Sequence, residues 1–106
     1  MLANVRYSRL AAGLAAALGT RLVLLTDTDG VLDRAGGRID QLDELKAEQL
    51  ISDGTIAGGM LPKVSAALAV LRSGGPEVVI ADGRADRSVE RALTDTSFGT
   101  RVVVGS

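Results

Sequence analysis

Leu22-Val23-Leu24-Leu25-Thr26-Asp27-Thr28-Asp29-Gly30-Val31-Leu32-Asp33 is the stretch on which the reading of the whole chain turns. Its apolar run stops abruptly at acidic residues and a glycine, as a buried strand does when its carboxyl end opens into a polar turn. In open α/β sheets, ligands gather outside the carboxyl ends of the strands. A second strong run, Glu77 to Ala81, ends the same way at Asp82. If both strands are parallel in one sheet, Asp27 and Asp82 share a rim. Between them, Asp53-Gly54-Thr55-Ile56-Ala57-Gly58-Gly59-Met60-Leu61-Pro62-Lys63 reads as a glycine-bearing loop that feeds a helix with a cation in its first turn. An acidic strand end beside such a helix start suits a phosphate-bearing ligand and its metal.

Outward from this stretch, strands alternate with helices. Leu10, Leu14 and Leu18 give Arg6 to Leu18 a helical stripe that Gly19 ends. Asp33 to Gly37 has the composition of a turn, with Arg38-Ile39 as a short returning strand. Asp43 caps a helix running to about Asp53, with Ala47, Leu50 and Ile51 inward and Gly54 as its stop. Val64, Ala67, Leu68 and Leu71 form the apolar face of the helix that Pro62 opens and Gly74-Gly75 end. Asp86 or Ser88 caps a short helix with Val89, Ala92 and Leu93 inward, and Arg101 to Val104 is the last strand. The alternation predicts an α/β fold with a mainly parallel sheet, in which Leu22–Leu25 and Glu77–Ala81 are neighbouring central strands.

Composition narrows the chemistry. With 106 residues the chain reads as one domain spanning 1–106. Aromatic residues make up only 2%, so the core is built from Ala, Val, Leu and Ile. A formal net charge of -1, with Lys and Arg scattered, gives no footprint for nucleic acid. There is no cysteine and no histidine, which removes thiolate chemistry, Ser-His and Cys-His nucleophile pairs and imidazole metal sites. Catalysis would therefore use carboxylates, Lys, Arg, hydroxyls, backbone dipoles or a hard metal ion. No apolar span is long enough for a membrane, and the N-terminal segment reads as a helix of a cytosolic (cytoplasmic) protein rather than a secretory signal.

Each candidate site has a plain structural reading beside the functional one. Asp27, Asp29 and Asp33 have the oxygen chemistry of a hard-metal cluster, but the EF-hand register would put Leu25 at the first ligand position and Gly36 at the last. Asp29 and Asp33 read better as turn residues that accept backbone N–H groups, whereas Asp27, ending a buried strand, reads as functional. The segment through Lys63 lacks the Walker A spacing. It is either a tight turn before a helix with a solvated lysine, or a helix start whose N–H groups and Lys63 address phosphate oxygens. Asp82-Gly83-Arg84 reads as a capped turn with a surface arginine.

Taken in order, these segments resemble the C-terminal half of an acetylglutamate kinase, in the amino acid kinase family. The resemblance runs from about Asn4 to Val104. It rests on Leu22 to Asp27 with Gly30-Val31-Leu32-Asp33, on Leu50-Ile51-Ser52-Asp53-Gly54-Thr55-Ile56, on Gly58 to Val64, on Asp82-Gly83-Arg84 and on Gly99-Thr100-Arg101. It implies a three-layer α/β/α sandwich of which this half binds ATP, with Mg2+ carried by the nucleotide. Thr26 and Asp27 would lie by the nucleotide, Gly59 and Met60 by the adenine-ribose region, and Lys63, as the catalytic residue, at the transferred phosphoryl group. Asn4 would match a substrate-binding asparagine. The family transfers the γ-phosphate of ATP to the side-chain carboxylate of N-acetyl-L-glutamate in arginine biosynthesis. Its members are more than twice this long, and their N-terminal half supplies a glycine-rich phosphate loop, a second lysine and most of the acceptor site. Ser8 stands where their Asn-Ala-Asp signature has its organising carboxylate. The resemblance thus implies a chain that binds adenine nucleotide, is inactive alone, and either complements an N-terminal half or self-associates. Two alternatives stay open: a non-catalytic binding or assembly module of the same fold, and a haloacid-dehalogenase-like phosphatase with Asp27 as nucleophile and Asp29 as acid/base.

Overall fold

The computed structural model describes residues 2–3, 21–75 and 77–105. The expected helix from Arg6 to Leu18, Asn4 and Ser8 lie outside the described residues. In chain order the elements are β1 (Leu2–Ala3), β2 (Leu22–Thr26), β3 (Gln41–Leu42), α1 (Glu44–Ser52), α2 (Met60–Arg72), β4 (Val78–Asp82), α3 (Ser88–Thr94) and β5 (Thr100–Val102).

The strands form one sheet in the order β1-β2-β4-β5-β3. β2 and β4 are its central pair, parallel, with Leu22 opposite Val78 and Thr26 opposite Asp82. β1 pairs parallel with β2 and β3 parallel with β5, while β4 and β5 are antiparallel. The sheet is therefore mainly parallel, as expected, with its direction reversed at β5.

Strand alternation sends successive side chains to opposite faces and so builds two cores. Leu22, Leu24, Val78, Ile80 and Val102 pack on one face against Ala47 of α1 and Val64, Ala67 and Leu68 of α2. Val23, Val79 and Ala81 pack on the other against Ala92 of α3 and Phe98. Helices on both faces give the three-layer α/β/α arrangement.

The helix limits follow local chemistry. The Asp43 side chain caps α1 by accepting the N–H of Lys46 at 2.8 Å. Gly54 stops α1 in the left-handed region at φ 84°. α2 carries Pro62 in its first turn, where no intrahelical donor is lost.

Four local expectations are corrected. Arg38 makes only an isolated bridge to Leu32, and the strand proper is Gln41–Leu42, where Leu42 is fully buried. Neither Asp86 nor Ser88 caps α3; Arg87 takes the cap position at φ 55° with no side-chain cap. Leu93 points outward, at 44% exposure, because the short helix turns only Ala92 fully inward. β5 ends at Val102, and Val104 is exposed.

Candidate functional site

The parallel register of β2 and β4 sets Thr26 beside Asp82, so Asp27 and Asp82 do share the rim at the carboxyl end of the sheet. The Gly83 N–H donates to the Thr26 carbonyl at 2.8 Å and closes this end. A cleft of about 740 Å3 opens here. Leu25, Thr26, Asp27 and Thr28 line it from β2 and its exit, Gly59, Met60 and Lys63 from the start of α2, and Gly83 from the turn after β4.

The start of α2 gives the cleft its polarity. Gly59 has no side-chain cap to offer, and the first turn holds no acidic residue. The N-terminal end of the helix dipole is thus not offset by a carboxylate of its own first turn. Lys63, one turn further on, is half-buried and donates from Nζ to the Thr26 hydroxyl at 3.1 Å. Among the described residues Lys63 makes no ion pair. Asp27 is exposed on the opposite wall and likewise makes no ion pair among the described residues. A Cβ built at Gly59 would meet no heavy atom within 4 Å, so the space beside it is open.

Five expected site residues, Thr26, Asp27, Gly59, Met60 and Lys63, therefore converge on one cleft. The other acidic residues part from it. Asp33 accepts the N–H groups of Ala35 and Gly37 at 2.9 Å each, which is turn chemistry. Asp29 lines a separate hollow with Arg38, Arg91 and Phe98. Among the described residues no three acidic side chains gather to hold a metal.

Residue-by-residue reading missed Thr28 and Gly83 in the cleft and a more apolar hollow that shares Thr28 and Met60 with it. That hollow, about 130 Å3, is lined further by Gly30, Val31, Leu32, Thr55, Ile56 and Ala57. The signal for Gly83 was present, since it follows the strand end paired with Thr26. The hollow depends on the return of the chain from Thr55 to Ala57, which no local period shows.

A sheet rim facing a helix start, with a lysine that makes no ion pair among the described residues, defines an α/β protein with a polar cleft at the carboxyl end of its sheet. The model of the amino acid kinase family matches residues 2–82. The chain belongs to the amino acid kinase family. It is 44% identical over 101 residues to the acetylglutamate kinase of Oleidesulfovibrio alaskensis, covering 93% of this chain and 34% of that protein. It is 44% identical over 103 residues to the acetylglutamate kinase of Yersinia pestis, covering 97% of this chain and 40% of that protein. The chain thus spans between a third and two fifths of the length of these curated relatives. Among solved structures, the N-acetylglutamate synthase from Neisseria gonorrhoeae complexed with coenzyme A and L-arginine matches with a TM-score of 0.81 at 29% identity, over 93% of this chain and 23% of that one. Carbamate kinase from Giardia lamblia bound to AMP-PNP matches with a TM-score of 0.71 at 26% identity, over 89% of this chain and 30% of that one. No helix among the described residues is long and apolar enough to cross a membrane.

Proposed function

We propose that this chain is the ATP-binding, C-terminal part of an acetylglutamate kinase acting in the cytoplasm. The observation that carries the reading is Lys63: a half-buried ammonium at a helix start, 3.1 Å from the Thr26 hydroxyl, with no ion pair among the described residues. Such a cation is poised for phosphate oxygens that water would otherwise solvate. The sequence resemblance, the acetylglutamate kinase relatives and the carbamate kinase solved with AMP-PNP support the same ligand class.

In this reading the triphosphate runs along the cleft between Asp27 and Lys63, and the base enters the apolar hollow behind Met60. Gly59 leaves room for the sugar. Magnesium travels with the nucleotide, and the residues present fit it. Asp27 and the hydroxyls of Thr26 and Thr28 are hard oxygen donors, but they are too few to hold the ion unaided. When bound, a magnesium ion would supply charge neutralisation on the phosphates, with Asp27 as the carboxylate that lines the cleft. Lys63 neutralises charge on the transferred phosphoryl group, and Thr26 orients the ammonium through its hydroxyl. The bond between the γ-phosphorus and its bridging oxygen breaks, a bond to the acceptor carboxylate oxygen forms, and ADP leaves.

As a 106-residue polypeptide the chain binds nucleotide weakly and does not phosphorylate N-acetyl-L-glutamate. Most of the acceptor site belongs to the part of the relatives that lies outside the match, and Ser8 offers a hydroxyl in place of an organising carboxylate. Asn4 is the one acceptor contact this reading gives the chain.

The test is calorimetric titration of ATP with magnesium into the unmodified chain and Lys63→Ala, beside an assay of ADP release with N-acetyl-L-glutamate. Affinity should fall about tenfold or more on losing the charged hydrogen-bond donor. Binding that ignores Lys63→Ala would overturn the site. Acetylglutamate-dependent ADP release at an ordinary kinase rate, on the order of 1–100 per second, would overturn the statement of inactivity.

A further inference from the structure

The Asp82-Gly83-Arg84 turn brings a second cation to the same rim. Arg84 grips Asp82 through Nε to Oδ1 at 3.0 Å and Nη2 to Oδ2 at 3.1 Å, while its own N–H donates to Oδ1 at 2.8 Å. The carboxylate is 15% exposed and the guanidinium side chain 65%. A bidentate grip on a carboxylate fixed to the end of β4 holds the guanidinium at the rim. Gly83, between the two, forms part of the cleft wall.

Asp27 and Asp82 share this rim, and Asp29, on the turn after β2, lines the neighbouring hollow with Asp82. Asp82 is paired, but Asp27 and Asp29 make no ion pair among the described residues. Both lie within the electrostatic reach of Arg84. The hydrogen bond and the charge of Asp82 push the Arg84 pKa up, and the charges of Asp27 and Asp29 add to the rise. A triphosphate entering the cleft beside Lys63 would pass Asp27, which lines the same cleft. The guanidinium end of the pair is exposed, so its charge also acts on the local field at the rim.

We propose that Arg84 is a specificity-determining cation of the candidate site, screening the rim carboxylates so that the cleft admits a polyphosphate in preference to an uncharged nucleoside. The inference rests on the nucleotide reading above and deepens it. Arg84 acts here by its charge, so a lysine in its place should serve where a neutral isostere should not.

The experiment titrates ATP with magnesium, adenosine and inorganic tripolyphosphate into the unmodified chain, Arg84→Gln and Arg84→Lys, at low and at high salt. Arg84→Gln should weaken ATP and tripolyphosphate binding about three- to tenfold, leave adenosine unchanged, and lose most of its effect at high salt. Arg84→Lys should restore most of the loss. Equal losses for ATP and adenosine would mark a merely structural turn and overturn the inference. So would no loss for either anion, even where ATP binding and its dependence on Lys63 hold. Tripolyphosphate binding that depends on Arg84, with ATP bound no better than the bare anion, would uphold the cation and sink the nucleotide reading. Failure of the unmodified chain to bind any of the three would overturn both.

Discussion

Gly30 and Gly59 lie in the same part of the molecule and are glycines for opposite reasons. Gly30 has φ 152°, and a Cβ there would stand 2.6 Å from the Thr100 hydroxyl oxygen. That hydroxyl bridges two backbone groups, accepting the Val31 N–H at 2.9 Å and donating to the Ile39 carbonyl at 2.6 Å. Gly30→Ala must displace this buried bridge or shift the turn, so a loss of about 2–4 kcal/mol is expected in urea denaturation. Gly59 has φ -66° and open space where a Cβ would go. Gly59 lines the cleft, so in the nucleotide reading Gly59→Ala should lower ATP affinity while changing stability by no more than about 0.5 kcal/mol. A large stability loss at Gly59, or none at Gly30, would show that these roles are misassigned. The contrast also marks what single residues reveal in a sequence. Gly59 and Lys63 are four positions apart, and their pairing is legible as a helix start. The partner of the Gly30 turn is 69 residues away from Val31, and no local pattern announces Thr100.

The elements that were legible are those long enough to show a period. β2 and β4 are five residues each and nearly all buried, and α1 and α2 carry capping and glycine signals at their ends. β3 has two residues, of which only Leu42 is buried, so its signal is one leucine. The direction of β5 was not legible either, because the seventeen residues between β4 and β5, 83–99, are long enough for a connection in either sense. The observed strand runs antiparallel to β4, with Ile80 opposite Thr100 and Val78 opposite Val102. α3 is also poorly started: Arg87, at φ 55°, is the one non-glycine residue with positive φ among the described residues. The helix is instead held at its far end, where Arg101 Nη2 donates to the carbonyls of Ala92 at 3.3 Å and Asp95 at 2.9 Å. Left-handed backbone costs a side-chain-bearing residue about 1–2 kcal/mol. The exposed Arg87–Glu90 pair and the added freedom of an unfolded glycine offset part of that. Arg87→Gly should therefore raise stability by about 0.5 kcal/mol, read as a higher urea midpoint with an unchanged slope. A lower midpoint would mean that the arginine contributes more than its backbone strain costs.

Over the whole molecule, one small device recurs where the chain leaves an element. After α1, Asp53 accepts the Thr55 N–H at 2.9 Å; at the end of β4, Asp82 accepts that of Arg84 at 2.8 Å; after α3, Asp95 accepts that of Ser97 at 2.9 Å. Side-chain hydrogen bonds come first in lowering each pKa, from Thr55 to Asp53, from Arg84 to Asp82 and from Ser97 to Asp95, with the backbone bonds adding to them. These folded values lie below that of a carboxyl in an unfolded chain, about 3.9. Between the two values the unfolded chain holds more protons, so stability rises with pH there. The contribution is complete above the unfolded value and is lost as pH falls through the folded ones. The chain has no histidine, so no side chain of ordinary pKa titrates between about pH 5 and 8. Urea midpoints should therefore run flat from about pH 7 to 5 and drop below about pH 4. Converting Asp53, Asp82 and Asp95 to Asn together should lower the neutral midpoint and shrink the acid drop, because the three turns would no longer lose an anion. An acid drop as steep in the triple variant as in the unmodified chain would place the acid-labile groups elsewhere, and the three turns would then be geometric stops with no electrostatic part in stability.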